Sequence, residues 1–192
     1  KVGRINLTYA LTPHGTTRTE YTIVRLGDHE YYLVSAGAWT AYDADFLMKC
    51  AADKAGECGH IDIHDVTTQW GVFAIAGPKS RDILKDLVKD ADPATVLSNK
   101  RFPWLSMRNI ELGMVPVRAI RVAYTGELGW ELHHPIEMQT HLFDRLVAAG
   151  EKHGMKLVGA RAQNWLRQEK SYRAFGNELG RDATPLEAAL DR

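Results

Sequence analysis

The stretch over residues 115–132 limits the fold of this chain more than any other part of it. Apolar and polar residues alternate over 115–122, which is typical of a half-buried strand, and two glycines then allow the backbone to turn. In the strand that follows, successive side chains point to opposite faces, so Trp130 and Leu132 share one face and Glu131 lies on the other. The pattern therefore predicts two strands joined by a glycine-containing turn, with a carboxylate on a rigid element.

Strands and helices occur in groups along the rest of the chain. Because they do not alternate strictly, the pattern predicts an α+β fold with antiparallel or mixed sheets and flanking helices. Residues 90–100 are predicted to form a polar loop. The predicted strands span 3–11, 20–26, 30–36, 60–66, 71–76, 109–112, 115–124 and 130–133, and the predicted helices span 38–54, 79–88, 136–153 and 160–172. The apolar face of the first helix is predicted to consist of Trp39, Tyr42, Phe46, Leu47 and Cys50.

The composition excludes several classes of function. The chain has 24 basic and 24 acidic side chains among 192 residues, so its formal net charge is zero and no basic field is available to gather nucleic acid. No apolar run approaches the ~20 residues that a membrane span needs, and we expect neither a membrane span nor a signal peptide. The length is that of one domain or of two tightly packed lobes.

The cysteines do not suggest a disulfide framework. Cys50 lies in a helical pattern and Cys58 in a glycine-rich turn, which favours a reducing compartment. His60 and His64 lie near Cys58, but the residues between them alternate as in a strand with a polar outer face. Because no second pair of ligands accompanies them, we expect no metal site.

The segment over residues 123–132 reads Ala-Tyr-Thr-Gly-Glu-Leu-Gly-Trp-Glu-Leu. It resembles the signature of the folate-binding domain of glycine cleavage T-proteins, the aminomethyltransferases. It is still more similar to dimethylglycine and sarcosine dehydrogenases, which carry the same domain behind a flavin domain. Four further segments resemble this family in the same order, so the resemblance covers essentially the whole chain; they span 3–15, 74–81, 166–179 and 184–190.

The resemblance implies capture of a one-carbon unit by tetrahydrofolate to give 5,10-methylenetetrahydrofolate. The donor would be an N-methyl amine such as dimethylglycine or sarcosine, and FAD would lie on a separate domain of the same polypeptide. Residues 1–192 are then expected to be a partial folate-binding domain, with an upstream segment before Lys1 and a C-terminal barrel after Arg192. The implied location is a bacterial cytoplasm or the mitochondrial matrix. The missing flanks are expected to cover apolar surface near Leu7, Tyr9, Leu186 and Leu190.

Two carboxylates carry the chemistry that the resemblance implies. Glu131 matches the glutamate that anchors the pterin ring, since a carboxylate accepts hydrogen bonds from an amino group and a ring N–H side by side. Glu20 occupies the position of the family's catalytic aspartate, which would take up a proton or stabilise the cationic intermediate. Here the sequence departs from the T-protein pattern, because Thr19 and Glu20 replace an Asp-Asp pair.

Three further residues match positions that lie near the folate in the family. Tyr124 matches a tyrosine of the pterin pocket, Arg161 an arginine near folate, and Trp104 an aromatic residue against it. An alternative interpretation is that Tyr124 and Trp104 are core aromatic residues and that Glu20 is a solvated strand carboxylate. Arg167 is interpreted as structural, with pairing along its own helix face.

Two other functions remain open from the sequence. The chain could be a stand-alone aminomethyltransferase of the glycine cleavage system, although the replacement of the Asp-Asp pair argues against it. It could also be a folate-binding module without catalysis. The orientation of Glu20 separates this last function from the catalytic one, because a base must face its substrate rather than bulk solvent.

Overall fold

The computed structural model describes residues 1–190, which contain seven strands and five α-helices. The strands are β1 (Ile5–Leu11), β2 (Thr17–Arg25), β3 (Tyr31–Val34), β4 (Trp70–Ala76), β5 (Met107–Leu112), β6 (Val115–Ile120) and β7 (Gly129–Pro135). The helices are α1 (Thr40–Cys58), α2 (Ser80–Lys85), α3 (Pro93–Val96), α4 (Gln139–Glu151) and α5 (Ala160–Glu169). None of the helices in this part of the chain is long and apolar enough to cross a membrane.

The chain divides into two compact units. The first comprises residues 1–6, 24–31 and 69–173, and the second comprises residues 7–23, 32–68 and 174 onward. Strands β1 to β3 form a three-stranded sheet in the order β1-β2-β3. The predicted α+β class is confirmed. The predicted end of the domain at Asp191 and Arg192 lies outside the described residues.

The first unit is built on a four-stranded antiparallel sheet of order β4-β7-β6-β5. One face of this sheet packs with α2 and α4 around a single hydrophobic core. Trp130 and Leu132 of β7 are fully buried in that core, and Phe102 meets the Trp130 ring edge-on with ring centroids 6.1 Å apart. Because side chains alternate along a strand, Glu131 lies on the other face, as the sequence predicts.

The loop between β6 and β7 depends on two glycines. Gly126 has a φ of +68°, a conformation that L side chains rarely adopt. A Cβ on Gly129 would lie 2.7 Å from the carbonyl oxygen of Ile75 on the neighbouring strand, so β4 and β7 approach too closely there for any side chain. The two glycines allow β7 to begin directly after the turn.

Two of the predicted strands are wrong in whole or in part. Residues 60–66 form no strand, and Ile61 and Ile63 remain 46% and 37% exposed, because alternation alone provides no partner for the backbone. The strand predicted over 115–124 ends at Ile120, which leaves Tyr124 in the loop. The polar loop predicted over 90–100 contains the short helix α3, whose first turn Asp92 caps.

The predicted apolar face of α1 is correct only in part, since Tyr42, Phe46 and Leu47 are half-buried. The one residue that this helix buries is Asp43, which is 3% exposed, whereas Cys50 is exposed and Trp39 is 42% exposed. The helix begins at Thr40, later than predicted, and continues to Cys58. Its interior side therefore combines half-buried apolar side chains with one buried carboxylate, Asp43, which pairs with Thr19.

Trimming the core at Leu132 tests the packing that holds β7. Leu132→Ala removes a fully buried side chain, and we expect it to lower the free energy of unfolding by about 2–5 kcal/mol. Val72 lies on the neighbouring strand β4 with 48% of its surface exposed, so Val72→Ala is the matched control and should cost less than about 1 kcal/mol. Urea denaturation followed by circular dichroism measures both, and equal losses would contradict this account of the core.

Candidate functional site

Glu131 is a partly exposed carboxylate held by a buried strand. It lies opposite Ala74 of β4 and Ile120 of β6, so β7 is hydrogen-bonded on both sides around it. Its side chain is 31% exposed, while the residues before and after it in the strand are fully buried. The position combines a fixed backbone with a carboxylate that a ligand can reach.

His133 was missed by the sequence analysis and lies on the same face of β7. Its side chain is 1% exposed, and its Nε2 lies 3.4 Å from Oε2 of Glu131. In register, His133 stands between Val72 of β4 and Arg118 of β6. The spacing Glu-x-His on a strand was the available signal, because residues i and i+2 share a face.

Tyr124 lies in the loop before β7 rather than in the core. Its hydroxyl donates a hydrogen bond of 2.7 Å to the carbonyl oxygen of Arg173, and its ring stacks on Tyr172 with centroids 6.4 Å apart. The ring is 36% exposed. The alternative that Tyr124 is a core aromatic residue is therefore wrong.

Arg161 and Trp104 are both at the surface of the first unit. Arg161 is exposed in the first turn of α5. Trp104 is 67% exposed in the loop before β5, so its interpretation as a plain core tryptophan is wrong. Arg167 is buried, and it donates hydrogen bonds to the Oδ1 of Asn164 and to the carbonyl oxygen of Tyr172. It thus stabilises the end of α5, although through partners other than those the sequence suggested.

Glu20 lies on β2, in the second unit, and its environment is not that of a solvated carboxylate. Partial burial raises the pKa of Glu20 above its usual value, and the Tyr9 hydroxyl on the neighbouring strand opposes this rise by donating a hydrogen bond to the carboxylate. A carboxylate that holds its proton more tightly than in water is suited to general acid–base chemistry.

Asp43 is a second buried acid of this unit that the sequence analysis did not single out. Its Oδ2 accepts a hydrogen bond of 3.2 Å from the Thr19 hydroxyl, and its Oδ1 has no hydrogen-bond partner among residues 1–190. Burial, and after it the charge of Asp43, raises the pKa of Tyr21 to about 12. The buried positions of β2 are Thr17, Thr19, Tyr21 and Val24, so three of the four are polar.

The predicted site residues thus fall in two groups. Trp104, Tyr124, Glu131 and Arg161 belong to the first unit, and Glu20 belongs to the second. Cys50 and Cys58 are free and exposed, and residues 1–190 contain no group of three His, Cys, Asp or Glu residues that could hold a metal ion.

Comparison with known proteins identifies a family and a fold. Residues 1–192 match the model of the GCVT N-terminal domain family. The chain is 36% identical over 191 residues to the mitochondrial dimethylglycine dehydrogenase of Mus musculus, which covers 100% of this chain and 21% of that protein. It is 35% identical over 197 residues to the mitochondrial sarcosine dehydrogenase of Mus musculus, which covers 95% of this chain and 20% of that protein.

The solved structures include a similar fold. The crystal structure of glycine cleavage system aminomethyltransferase T from Bartonella henselae matches with a TM-score of 0.72 and 21% identity, over 96% of this chain and 45% of that one. The chain spans about a fifth of the length of the two mouse relatives.

The raised pKa of Glu20 predicts that Glu20→Gln stabilises the protein at neutral pH. The folded protein holds this proton more tightly than the unfolded chain, so stability is lost as the pH rises from the ordinary value of 4.5 through the folded pKa. Glutamine keeps an oxygen acceptor for Tyr9 but has no charge to desolvate. We expect a higher Tm for the variant at pH 7 and no difference near about pH 4, by calorimetry across pH.

The control for this measurement is Glu30→Gln, because Glu30 is exposed. Its Tm should follow that of the wild type at every pH. A Glu20→Gln variant that is less stable than the wild type at pH 7 would contradict the assigned cause of the shift.

Proposed function

The chain belongs to the GCVT N-terminal domain family, and on that premise we propose that it binds tetrahydrofolate and transfers a one-carbon unit to it. The observation that carries the proposal is the position of Glu131. The residue that matches the family's pterin anchor is a partly exposed carboxylate on a strand whose adjoining side chains are fully buried. A fixed acceptor of this kind suits a ligand that must be oriented as well as held.

The ligand's chemistry fits this carboxylate. The pterin ring of tetrahydrofolate presents an amino group and a ring N–H side by side, and both donate hydrogen bonds. The two oxygens of Glu131 accept them as a pair, while Tyr124 in the preceding loop offers a partly exposed aromatic face. We propose that Arg161 and Trp104, both exposed, contribute to the same folate site.

Glu20 is proposed as the residue that handles the proton of the transfer. The carbon of an iminium CH₂=NRR′⁺ (R′ is a methyl group or hydrogen) forms one bond to each of two nitrogens of tetrahydrofolate, while its C=N bond breaks and the two nitrogens each lose a proton. One proton goes to the leaving amine HNRR′ and the other to Glu20, and the folate product is 5,10-methylenetetrahydrofolate. The partial burial and raised pKa of Glu20 support this role over that of a non-catalytic folate module.

The donor amine is proposed from the relatives. Dimethylglycine and sarcosine dehydrogenases are similar to this chain, so we propose an N-methyl amine of that kind as the source of the iminium. Its oxidation would be carried out by FAD on a separate domain of the same polypeptide. Residues 1–192 are proposed to form part of a folate-binding domain within that protein, in a bacterial cytoplasm or the mitochondrial matrix.

Glu131→Gln tests the pterin anchor. The amide replaces one acceptor oxygen by a donor, which then faces the donors of the pterin. We expect the loss of a charge-assisted pair to cost about 2–4 kcal/mol of affinity, a rise in Kd of roughly 30- to 1,000-fold. Isothermal titration of the full-length protein with tetrahydrofolate measures it.

Glu127→Gln is the control for this titration, because Glu127 is exposed in the loop before β7. It should bind tetrahydrofolate as the wild type does. Equal affinities of the wild type and Glu131→Gln would remove Glu131 from the site, and a wild type that does not bind tetrahydrofolate would overturn the proposed function itself.

Glu20→Gln tests the proton transfer separately from binding. We expect tetrahydrofolate affinity to stay within about twofold, while formation of 5,10-methylenetetrahydrofolate falls by roughly 10²- to 10⁴-fold, the usual contribution of a positioned acid or base. Oxidation of the amine should continue and release formaldehyde in place of the folate product. Product analysis on the full-length protein decides this, and an unchanged yield of folate product would assign Glu20 no catalytic role.

A further inference from the structure

The second unit contains a groove that the folate proposal does not use. It has a volume of about 320 Å³ and lies between β2, the start of α1 and the segment over residues 175–182. That volume is at the lower end of small-molecule sites, which suits a ligand of about the size of a single substituted ring. The groove is lined by Arg18, Trp39, Tyr42, Phe175, Arg181 and Asp182, together with four neighbours in the same segment.

Arg18 is held in this groove by aromatic rings rather than by carboxylates. Its guanidinium carbon lies 4.3 Å from the ring centroid of Tyr42 and 4.3 Å from that of Phe46. Contact with two rings holds the guanidinium in the groove, and the Arg18 side chain remains partly exposed. Its buried Nε has no hydrogen-bond partner in the described part of the chain, and no carboxylate there pairs with the guanidinium.

Arg181 adds a second guanidinium to the same lining. Its Nη2 donates a hydrogen bond of 2.7 Å to the Tyr42 hydroxyl, and its guanidinium carbon lies 5.1 Å from the Tyr42 ring centroid. It too has no ion pair with a carboxylate among residues 1–190. Asp182 also lines the groove, so two positive charges and one negative charge leave one net positive charge for a ligand to neutralise.

The remaining wall is aromatic. The Trp39 ring meets Tyr42 edge-on with centroids 5.8 Å apart and Phe175 edge-on with centroids 5.9 Å apart. Trp39 is nevertheless 42% exposed, so a ligand can cover it. A flat apolar body against these rings would gain contact area, and its charged end would reach the guanidiniums.

We propose that this groove is a binding site for a small carboxylate with a flat apolar body, of the class of the aromatic acids. Two guanidiniums without carboxylate partners supply the donors for the acid group, and Trp39 and Phe175 supply the surface for the ring. The site does not depend on the folate function, because its lining residues belong to the second unit and include none of the residues assigned to folate.

Benzoate is the probe, and the fluorescence of Trp39 is the readout. We expect saturable quenching by benzoate and none by benzamide, which has the same shape without the charge. Arg181→Gln and Arg18→Gln should each weaken benzoate binding at least tenfold, and Trp39→Phe should abolish the saturable signal. Arg101→Gln is the control, since Arg101 is exposed in the first unit and the substitution removes the same charge.

Conservative substitutions separate a loss of benzoate binding from a loss of folding. Because Arg18 also packs against two rings, Arg18→Lys is measured beside Arg18→Gln by thermal melting and by benzoate titration. Arg181 is exposed but bonds to Tyr42, so Arg181→Gln and Arg181→Lys are compared in the same two measurements. Equal binding of benzamide, an Arg101→Gln variant as weak as Arg181→Gln, or no saturable quenching of the wild type would each overturn the site.

Discussion

The pairing of β7 with β4 on one side and β6 on the other holds the candidate pterin anchor in place. Every backbone position near Glu131 is fixed by these two ladders, and Trp130 and Leu132 secure the strand from the core side. The same arrangement requires Gly129, since a Cβ there would meet the carbonyl of Ile75. One strand thus combines two fully buried core side chains with a partly exposed carboxylate that His133 contacts.

In the second unit, several of the buried side chains are polar. Three of the four buried positions of β2 are polar, and the one buried residue of α1 is Asp43. A hydrogen bond from Thr19 to Asp43 joins the two elements. Buried polar groups cost free energy unless they are paired, yet Thr17, Tyr21 and Asp43 each retain an atom without a hydrogen-bond partner in the described residues. Such a region resembles a functional site more than a structural core, which is consistent with the placement of Glu20 and of the groove at Arg18.

Orienting the pterin ring and taking up the proton require different properties of the two proposed carboxylates. Orientation of a ring needs a rigid acceptor, which a strand inside a sheet provides. Handling of a proton needs a carboxyl group whose affinity for the proton is raised, which the partial burial of Glu20 provides. The single methylene by which Glu20 exceeds aspartate is compatible with this, because its hydrogen bond from Tyr9 gives the longer side chain a fixed partner.

The local features of the fold follow from the amino-acid sequence alone. Alternation over 115–122 and the glycines after it predicted the strand pair and the face of Glu131, and the helix predicted over 79–88 is present as α2. Strand pairing and burial were decided by the tertiary structure, because a local sequence pattern does not specify what packs against it. Residues 60–66 alternate like a strand but have no strand partner among residues 1–190, and α1 has an apolar stripe but buries Asp43. Periodicity records which side chains share a face, whereas burial depends on what packs against that face. The strand period already places His133 beside Glu131, but only the fold could bring Asp43 to Thr19.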